Sequence, residues 1–415
     1  MENVKQINKI KSVKSIYRKI FIKLLKRFNN GHLSIRLPEG EVIEIGENPG
    51  HRAFIHIKNE GFFKKAALYG DIGFGEAYID GDWSTPDLTM LLRWAIGNVE
   101  NTGFMSGSKV KNIGFNILNM TNKIEHFFNR NTKSGSQKNI SYHYDLSNDF
   151  YQIMLDQTMS YSCGIFKEDE STLFDAQINK LKILCEDLDI QSGDHILEIG
   201  CGWGGFAEYA ATHFDCKVTG ITISKEQFEF AEKKIKNAYL EDKVTILLQD
   251  YRELKGKFNK IVSIEMIEAV GHDFLPQYFQ TIQRLLKKNG VAVIQAITSP
   301  DSRYDSFRSG VDFIQKHIFP GSLLPSVGAM VTAYQNKTTL QLHNLRDIGL
   351  HYAKTLHCWR NKINENKTEI TKIGMDEQFF RKWNYYLCYC EAAFIERNIS
   401  TVQITLIKPN NKDYK

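Results

Sequence analysis

The sequence predicts an α/β protein whose core is a doubly wound, mostly parallel sheet, preceded by a smaller α+β domain. Two observations support this prediction. Strands and helices alternate over most of the chain after residue 140, which is the pattern of a parallel sheet covered by helices on both faces. A glycine-rich loop also follows the first of these strands and opens a helix, which is where such sheets bind nucleotide-like ligands.

The large sheet is predicted from short apolar runs and the helices from longer runs with a period near 3.6. Its strands are expected at 195–199, 217–221, 244–248, 260–264, 291–297 and 400–408, and its main helices at 176–188, 206–214, 225–240, 275–286 and 376–397. Residues 299–345 interrupt the alternation and are interpreted as an insertion. The whole catalytic domain is placed at 140–410.

The preceding residues 31–125 are interpreted as the small α+β domain. Its strands are expected at 33–37, 42–45 and 53–57. Asp87 is a suitable N-cap for a helix that follows it. The segment 70–76 carries three glycines and is expected to be irregular. Residues 126–139 are rich in Asn, Lys, Ser and Gly, a composition typical of a linker.

Residues 1–30 are predicted to form a basic amphipathic helix. They hold nine Lys or Arg against Glu2, about +8, which leaves the rest of a chain of net charge +5 near −3. Apolar residues recur at helical spacing: Ile7, Ile10, Tyr17, Ile20, Phe21, Leu24, Leu25 and Phe28. Such a helix suits an anionic membrane surface, and the alternative is packing on its own domain. Nucleic acid is not expected as a partner, because the chain has no groove-reading motif.

The cysteines and the apolar runs also indicate the cellular compartment. The seven cysteines are scattered without a C-x-x-C pair, so neither a zinc cluster nor any other metal site is expected. Free thiols suit a reducing cytoplasm. No apolar run reaches the roughly 18 residues that a membrane span needs, and the basic N-terminus lacks the features of a signal peptide. The expected location is therefore the cytoplasm, peripheral on the inner face of the membrane.

The glycine loop spans residues 200–205, Gly-Cys-Gly-Trp-Gly-Gly. Alone it also fits the dinucleotide fingerprint, which requires an acid about 20 residues further on to bind the ribose. Thr222 stands there instead, which weakens the dinucleotide interpretation but also departs from the usual methyltransferase.

Seven motifs, taken together, closely resemble the cyclopropane-fatty-acyl-phospholipid synthase family. They lie at 142–150, 161–164, 199–205, 220–227, 247–252, 268–271 and 312–321. The resemblance extends in order over most of residues 70–408. It implies a class I methyltransferase-type catalytic domain after a smaller N-terminal domain, with 299–345 as an acyl-pocket insertion.

The resemblance implies a reaction and two ligands. The enzyme would transfer a methylene carbon from S-adenosylmethionine to the cis double bond of unsaturated phospholipid acyl chains, through a carbocation that a bound bicarbonate ion deprotonates. The cofactor-binding residues would be Tyr161, Ser162, Gly200, Gly202, Trp203, Gly204, Thr222, Gln227, Tyr251 and Arg252. Bicarbonate would be held by Cys163, Glu268, Tyr352 and the backbone of Ile297. Cys390 matches a cysteine often credited with catalysis, although a packed helix cysteine is the rival interpretation.

One departure from the family leaves the product open. Gln295 and Ala269 stand where the best-known members have histidines. Gln hydrogen-bonds an anion but cannot share its proton as imidazole does. Slow ring closure would favour a methylene- or methyl-branched acyl chain instead of a cyclopropane ring. A small-molecule methyltransferase and a non-catalytic lipid-binding relative are the minor alternatives. The oligomeric state is open, with a homodimer as the candidate.

Overall fold

The computed structural model describes residues 16–98 and 147–414, which divide into two compact units. The described part of the first unit comprises 16–98, 303–318 and 374–398, and that of the second comprises the remaining described residues. The predicted catalytic range 140–410 therefore does not form one unit. Two of its segments fold with the N-terminal residues.

The first unit contains a four-stranded sheet. Its strands are β1 (Asn30–Arg36), β2 (Val42–Ile45), β3 (Glu47–Ile57) and β4 (Trp83–Ser84), in the order β2-β1-β3-β4. β1 pairs antiparallel with β2 and parallel with β3. Alternate residues such as Leu33, Ile35 and Ile55 are buried, which is the period-two pattern that predicted these strands.

The segment 70–76, predicted to be irregular, instead lies inside a helix that spans Gly61–Ile79. The helix is broken only at Gly70, whose φ of 60° and ψ of −133° are not helical. Packing overrides the low helix propensity of glycine here. A Cβ at Gly75 would lie 2.5 Å from the Phe313 ring, so only glycine allows this close approach.

A helix from the second half of the chain packs on two helices of the N-terminal region, which is why that part of the chain belongs to the first unit. Glu377–Ile395 packs on Leu88–Ile96 and on Gly61–Ile79. Thr89 donates a hydrogen bond of 3.1 Å to the buried Glu391. Asp87 caps the helix Leu88–Ile96 by accepting from Met90 N, as predicted.

The described part of the predicted N-terminal helix forms a helix over 16–25. Phe21, Leu25 and Phe28 are buried; Phe21 packs against Phe62 and Phe63 in the first unit. These apolar side chains therefore stabilise their own domain, as the alternative interpretation proposed. Residues 1–15, with the rest of the predicted apolar stripe, lie outside the described residues.

The second unit is built on a seven-stranded sheet. Its strands are β5 (His195–Ile199), β6 (Lys217–Thr222), β7 (Val244–Leu248), β8 (Phe258–Ile264), β9 (Leu286–Thr298), β10 (Gln341–Asp347) and β11 (Ser400–Ile407). The order is β10-β11-β9-β8-β5-β6-β7, with β5 to β9 parallel and β11 antiparallel to β9. The predicted α/β class and mostly parallel sheet are confirmed.

Helices cover this sheet on both faces. The helices of the second unit are Asn148–Met154, Leu173–Leu188, Gly205–His213, Lys225–Asn237, Leu275–Leu285, Val327–Gln335, Gly349–Glu365 and Lys367–Lys372. They bury a core of strand residues such as Leu197, Ile261 and Ile294. The carboxyl ends of β5, β6 and β8 meet at one edge, and the glycine loop, Ser224 and Glu265 follow them there.

The insertion 299–345 is only partly as predicted. Its helices Tyr304–Ser309 and Phe313–His317 belong to the first unit, where Phe313 packs against Tyr385. The strand β10 begins inside it and pairs with β11, and the sequence did not predict it because its residues are mostly exposed and polar. None of the described helices is long and apolar enough to span a membrane.

Candidate active site

The glycine loop has a backbone conformation that favours glycine. Gly200, Gly202 and Gly204 have φ values of 81°, 52° and 83°, in the left-handed region that favours glycine. A Cβ built on Gly202 would meet no atom within 4 Å, so the loop has open space beside it. The loop leads into the helix Gly205–His213. The first backbone N–H groups of a helix have no acceptor within the helix and can donate to a ligand. This geometry fits the adenosyl cofactor that the motif predicts.

Thr222, the last residue of β6, and Gln227, on the helix that follows, are two polar residues predicted to contact the cofactor. The Thr222 hydroxyl donates to Gln227 Oε1 at 2.9 Å and accepts from Ser224 N at 3.1 Å. Both side chains are buried at the sheet edge, where an acid usually binds a ribose.

Tyr251 and Arg252, predicted near the adenine, follow β7. The Arg252 Nε donates to both carboxylate oxygens of Asp250, at 2.9 and 3.1 Å. Burial raises the pKa of Tyr251 to about 12, so its hydroxyl stays protonated. The pair Asp250–Arg252 holds this turn in shape, and the contact with adenine remains a prediction.

The predicted residues Trp203, Tyr161 and Ser162 are partly structural. The Trp203 indole N–H donates to Asn148 Oδ1 at 2.8 Å, and its ring packs 4.8 Å from the Tyr151 ring. These contacts attach the glycine loop to the helix Asn148–Met154, the described end of the motif 142–150. Ser162 Oγ accepts from the buried Lys180 Nζ at 3.1 Å.

A buried carboxylate stands at the centre of the site, and the sequence did not predict it. Glu265 follows β8 directly. Its Oε1 accepts from Cys163 N at 2.9 Å and from Gln295 Nε2 at 2.8 Å, and its Oε2 accepts from Tyr352 OH at 2.6 Å. Three predicted site residues therefore converge on one carboxylate.

Glu265 also has a strained backbone. Its φ is 51°, a left-handed conformation that costs a non-glycine residue roughly 1–2 kcal/mol. Such strain persists where the surrounding structure imposes it, which is common at functional sites. The signal in the sequence was two acids three residues apart, Glu265 and Glu268, directly after a parallel strand.

Glu268 lies beside this cluster and binds a different predicted residue. Its Oε1 accepts from Ile297 N at 2.5 Å, and its Oε2 has no hydrogen-bond partner among residues 16–98 and 147–414. Burial, and then the charge of Glu265, raise the pKa of Glu268 to about 8. Glu268 is therefore mostly protonated at neutral pH.

Glu265 accepts hydrogen bonds from three donors, which favour its charged form. Burial raises its pKa, while the Tyr352 hydroxyl, the Cys163 N–H and Gln295 oppose that rise because they stabilise the anion. Gln295 is itself oriented, since its Oε1 accepts from Gln403 Nε2 at 2.9 Å. That bond points the amide nitrogen of Gln295 toward the carboxylate.

Two further buried ionisable groups were not predicted. Lys180 is 1% exposed, and burial lowers its pKa while Glu265, Asp156 and Glu198 oppose the shift. Burial raises the pKa of Glu198, the penultimate residue of β5, to about 8. Gln177 and Lys180 lie on the buried face of the helix Leu173–Leu188. Polar residues on the apolar face of a predicted helix were the feature of the sequence that could have indicated a buried polar site.

The two candidate cysteines are protonated thiols. Cys163 is fully buried, and burial raises its thiol pKa well above the ordinary value; its contribution to the cluster is the backbone N–H. Cys390 lies on the helix Glu377–Ile395, in the first unit. Burial raises its pKa too, with Asp312 adding to the shift, so neither residue is suited to act as a thiolate nucleophile.

The residues that the resemblance assigns to bicarbonate have their donors engaged. Cys163 N and Tyr352 OH donate to Glu265, and Ile297 N donates to Glu268. A second anion would lie against the Glu265 carboxylate, and like charges at contact repel. As folded, the cluster does not fit a bicarbonate ion.

Aromatic rings extend from the carboxylate. The Tyr352 ring lies 6.0 Å from the Trp359 ring, which is 5.1 Å from Tyr161, and Tyr161 is 6.3 Å from Phe319. Aromatic faces stabilise a nearby cation by roughly 0.5–2 kcal/mol. The cofactor loop adjoins this region, since a Cβ at Gly200 would lie 2.8 Å from Met266, the residue after Glu265.

The fold and the loop define a class, the S-adenosylmethionine-dependent methyltransferases with a class I sheet. A family model, mycolic acid cyclopropane synthetase, matches residues 131–404, and the chain belongs to that family.

Known proteins agree with this assignment. The chain is 34% identical to the tuberculostearic acid methyltransferase UfaA1 of Mycobacterium tuberculosis, over 91% of this chain and 88% of that protein. It is 36% identical to the cyclopropane-fatty-acyl-phospholipid synthase of Escherichia coli, over 87% and 89%. The crystal structure of mycolic acid cyclopropane synthase CmaA1, complexed with SAH and CTAB, aligns at 30% identity with a TM-score of 0.61, over 66% of this chain and 98% of that one.

The chain is thus an S-adenosylmethionine-dependent enzyme that transfers a one-carbon unit to lipid acyl chains.

Proposed function

We propose that the enzyme adds a methylene carbon to the cis double bond of unsaturated phospholipid acyl chains and forms a cyclopropane ring. The observation that supports this proposal is the buried carboxylate of Glu265 beside the cofactor loop, with a row of aromatic rings that begins at Tyr352. An isolated alkene is a weak nucleophile, so the reaction needs a strong electrophile and a base in a dry pocket. When bound, S-adenosylmethionine supplies the electrophilic methyl group.

The chain's own residues supply the rest. The aromatic rings of Tyr161, Trp359 and Phe319 line a region suited to an acyl chain and to the positive charge that develops on it. The carboxylate cluster holds a proton acceptor at the sheet edge. Burial of Cys163, Gln295 and Tyr352 around it excludes water, which would otherwise capture the cation.

A branched product is the second candidate, and Gln295 favours it. Gln295 donates to Glu265 and cannot carry a proton as a histidine at this position would. If proton removal is slow, a hydride first moves from the methyl-bearing carbon to the cationic carbon, and loss of a methyl proton then gives a methylene-branched chain. The relatives named for tuberculostearic acid and fatty acid methyl transfer, the latter 40% identical over 274 residues, support this alternative.

Lipid analysis tests the proposed function directly. Cells that express the gene should accumulate unsaturated phospholipids whose acyl chains have gained the mass of one CH₂ group. Nuclear magnetic resonance of the product then distinguishes ring protons from those of an exocyclic methylene. The absence of any mass gain on unsaturated phospholipids, with purified enzyme and cofactor present, contradicts the proposal.

We also propose that the helix 16–25 and the residues after it attach the enzyme to anionic membranes, on the inner face of the membrane. Because Phe21, Leu25 and Phe28 are buried, we attribute the attraction to the exposed cations Lys19, Lys23, Lys26 and Arg27. Arg18 is not among them, since it pairs with Glu39 and Glu60.

Charge reversal tests this attachment. Replacing these four cations with Glu should weaken binding to vesicles containing anionic phospholipid on the order of 100-fold or more, because each cation near such a surface contributes about 1 kcal/mol. Deleting residues 1–28 is a poorer test, since it removes the buried Phe21, Leu25 and Phe28.

The matched control is a reversal of four exposed lysines of the second unit: Lys233, Lys236, Lys255 and Lys288. It changes the net charge equally and should weaken binding much less. Equal vesicle binding by the two variants in a sedimentation assay argues against the helix as the attachment site.

A further inference from the structure

We infer that the carboxylate of Glu265 is the resident base of this enzyme, in the place where the family resemblance predicts a bicarbonate ion. This inference deepens the proposed function and rests on it. The donors expected to hold bicarbonate, Cys163 N and Tyr352 OH, both reach Glu265, at 2.9 and 2.6 Å. A carboxylate and a bicarbonate present the same planar pair of oxygens, so one set of donors serves either.

Gln295 supplies the third donor to Glu265. Its amide nitrogen donates to Glu265 Oε1 at 2.8 Å and its oxygen is occupied by Gln403, so it presents only a donor to the cluster. A donor that does not titrate suits an acceptor that is anionic before it receives the proton. The change from histidine to Gln at this position and the presence of Glu265 therefore belong together.

The carboxylate is positioned to accept a proton. Oε2 accepts one hydrogen bond from the described residues, that of Tyr352, so a lone pair remains on it. Glu265 directly follows β8, at the sheet edge where ligands bind, and Met266 beside it touches the cofactor loop. Burial raises the pKa of the Glu265 carboxyl, which makes it a stronger base than an exposed carboxylate.

The reaction begins with methyl transfer and ends with proton transfer to Glu265. The alkene π pair forms the bond to the incoming methyl carbon, the sulfur retains the pair of the broken C–S bond, and a cation remains on the other alkene carbon. A C–H pair of the new methyl group then closes the ring, and its proton passes to Glu265. If a hydride shift first moves the cation to the carbon that bears the new methyl group, a C–H pair of that methyl group forms an exocyclic double bond, its proton passes to Glu265, and the methylene-branched chain results.

Chemical rescue tests the assignment. Glu265→Gly removes the carboxylate at a left-handed position that glycine adopts freely, and it exposes the three donors. Its turnover should fall roughly 10²–10⁴-fold, the range typical of lost proton transfer. Added bicarbonate or formate should restore turnover at least about tenfold, and chloride should not. Wild-type turnover should not change when bicarbonate is stripped from the buffer.

A binding measurement that does not depend on turnover accompanies it. Isotopically labelled bicarbonate should bind Glu265→Gly and not the wild type. The matched control is Asp189→Gly, since Asp189 is also an acid at a positive φ of 50°, at a helix end. It should keep wild-type turnover and gain no anion binding.

The inference is overturned if wild-type turnover falls without bicarbonate and recovers with it, or if a folded Glu265→Gly keeps wild-type turnover in bicarbonate-free buffer. Should Glu265→Gly not fold, Glu265→Gln and the bicarbonate dependence of the wild type decide the question. If the wild type adds no CH₂ to any unsaturated phospholipid, the proposed function fails, and the labelled-bicarbonate comparison still tests the site.

Discussion

Gly202→Asp should abolish cofactor binding while leaving the fold intact. A Cβ at this position meets no atom within 4 Å, so the new side chain enters the open space beside the loop and clashes with the cofactor there. Its φ of 52° lies in the left-handed region, which Asp adopts more readily than most other non-glycine residues. A loss of at least about 3 kcal/mol in binding free energy, on the order of 100-fold in Kd, is expected by calorimetry.

Gly193→Asp is the matched control for this prediction. Gly193 has a φ of 78° and also has open space around its Cβ, but it lies in the turn before β5. Both variants should melt near the wild-type temperature, and only Gly202→Asp should lose S-adenosylmethionine. Normal cofactor binding by a folded Gly202→Asp places the cofactor elsewhere.

The sequence predicted the sheet well because its strands are buried. Runs such as 195–199 and 244–248 are bounded by turn residues and match the observed strands. The strand β10 was missed, since a mostly exposed polar run carries no such pattern. The helix through Gly73 and Gly75 was missed because its stability comes from contacts with Phe313, distant in sequence.

The site was predicted as a set of residues but not as an arrangement. Cys163, Gln295 and Tyr352 were identified, yet the group that unites them is Glu265, 102, 30 and 87 positions away. Nothing local in the sequence specifies its positive φ or the orientation that Gln403 gives to Gln295. Hydrogen bonds between distant residues of this kind require the fold.

Of the proposed substitutions, Lys180→Met should lower the free energy of unfolding the most. Lys180 is buried, and its Nζ donates to Ser162 Oγ at 3.1 Å. Its positive charge is attracted to the carboxylate charges of Glu265, Asp156 and Glu198, which favour its protonated form. Removing one side of a buried charge arrangement leaves the other uncompensated, so the free energy of unfolding should fall by about 3–5 kcal/mol.

The control variant is Lys182→Met, two positions away on the same helix. Lys182 is exposed and pairs only with Glu186 at 3.7 Å among the described residues. Exposed pairs of this kind contribute about 0.5 kcal/mol or less, so urea denaturation should show a small change. Equal losses in the two variants contradict a charge-balancing role for Lys180.

The dependence of this loss on pH identifies its cause. Burial already raises the pKa of Glu198 from its ordinary 4.5 to about 8, and removing Lys180 raises it further. The folded protein then holds a proton that the unfolded chain releases above about pH 4.5, so stability falls as pH rises. In the wild type this fall ends once Glu198 ionises near pH 8, whereas in Lys180→Met it continues to higher pH, so the deficit relative to wild type should be larger near pH 9 than near pH 6. A deficit that stays constant over this range would mean that Lys180 stabilises the fold by packing its aliphatic stem, and not by its charge.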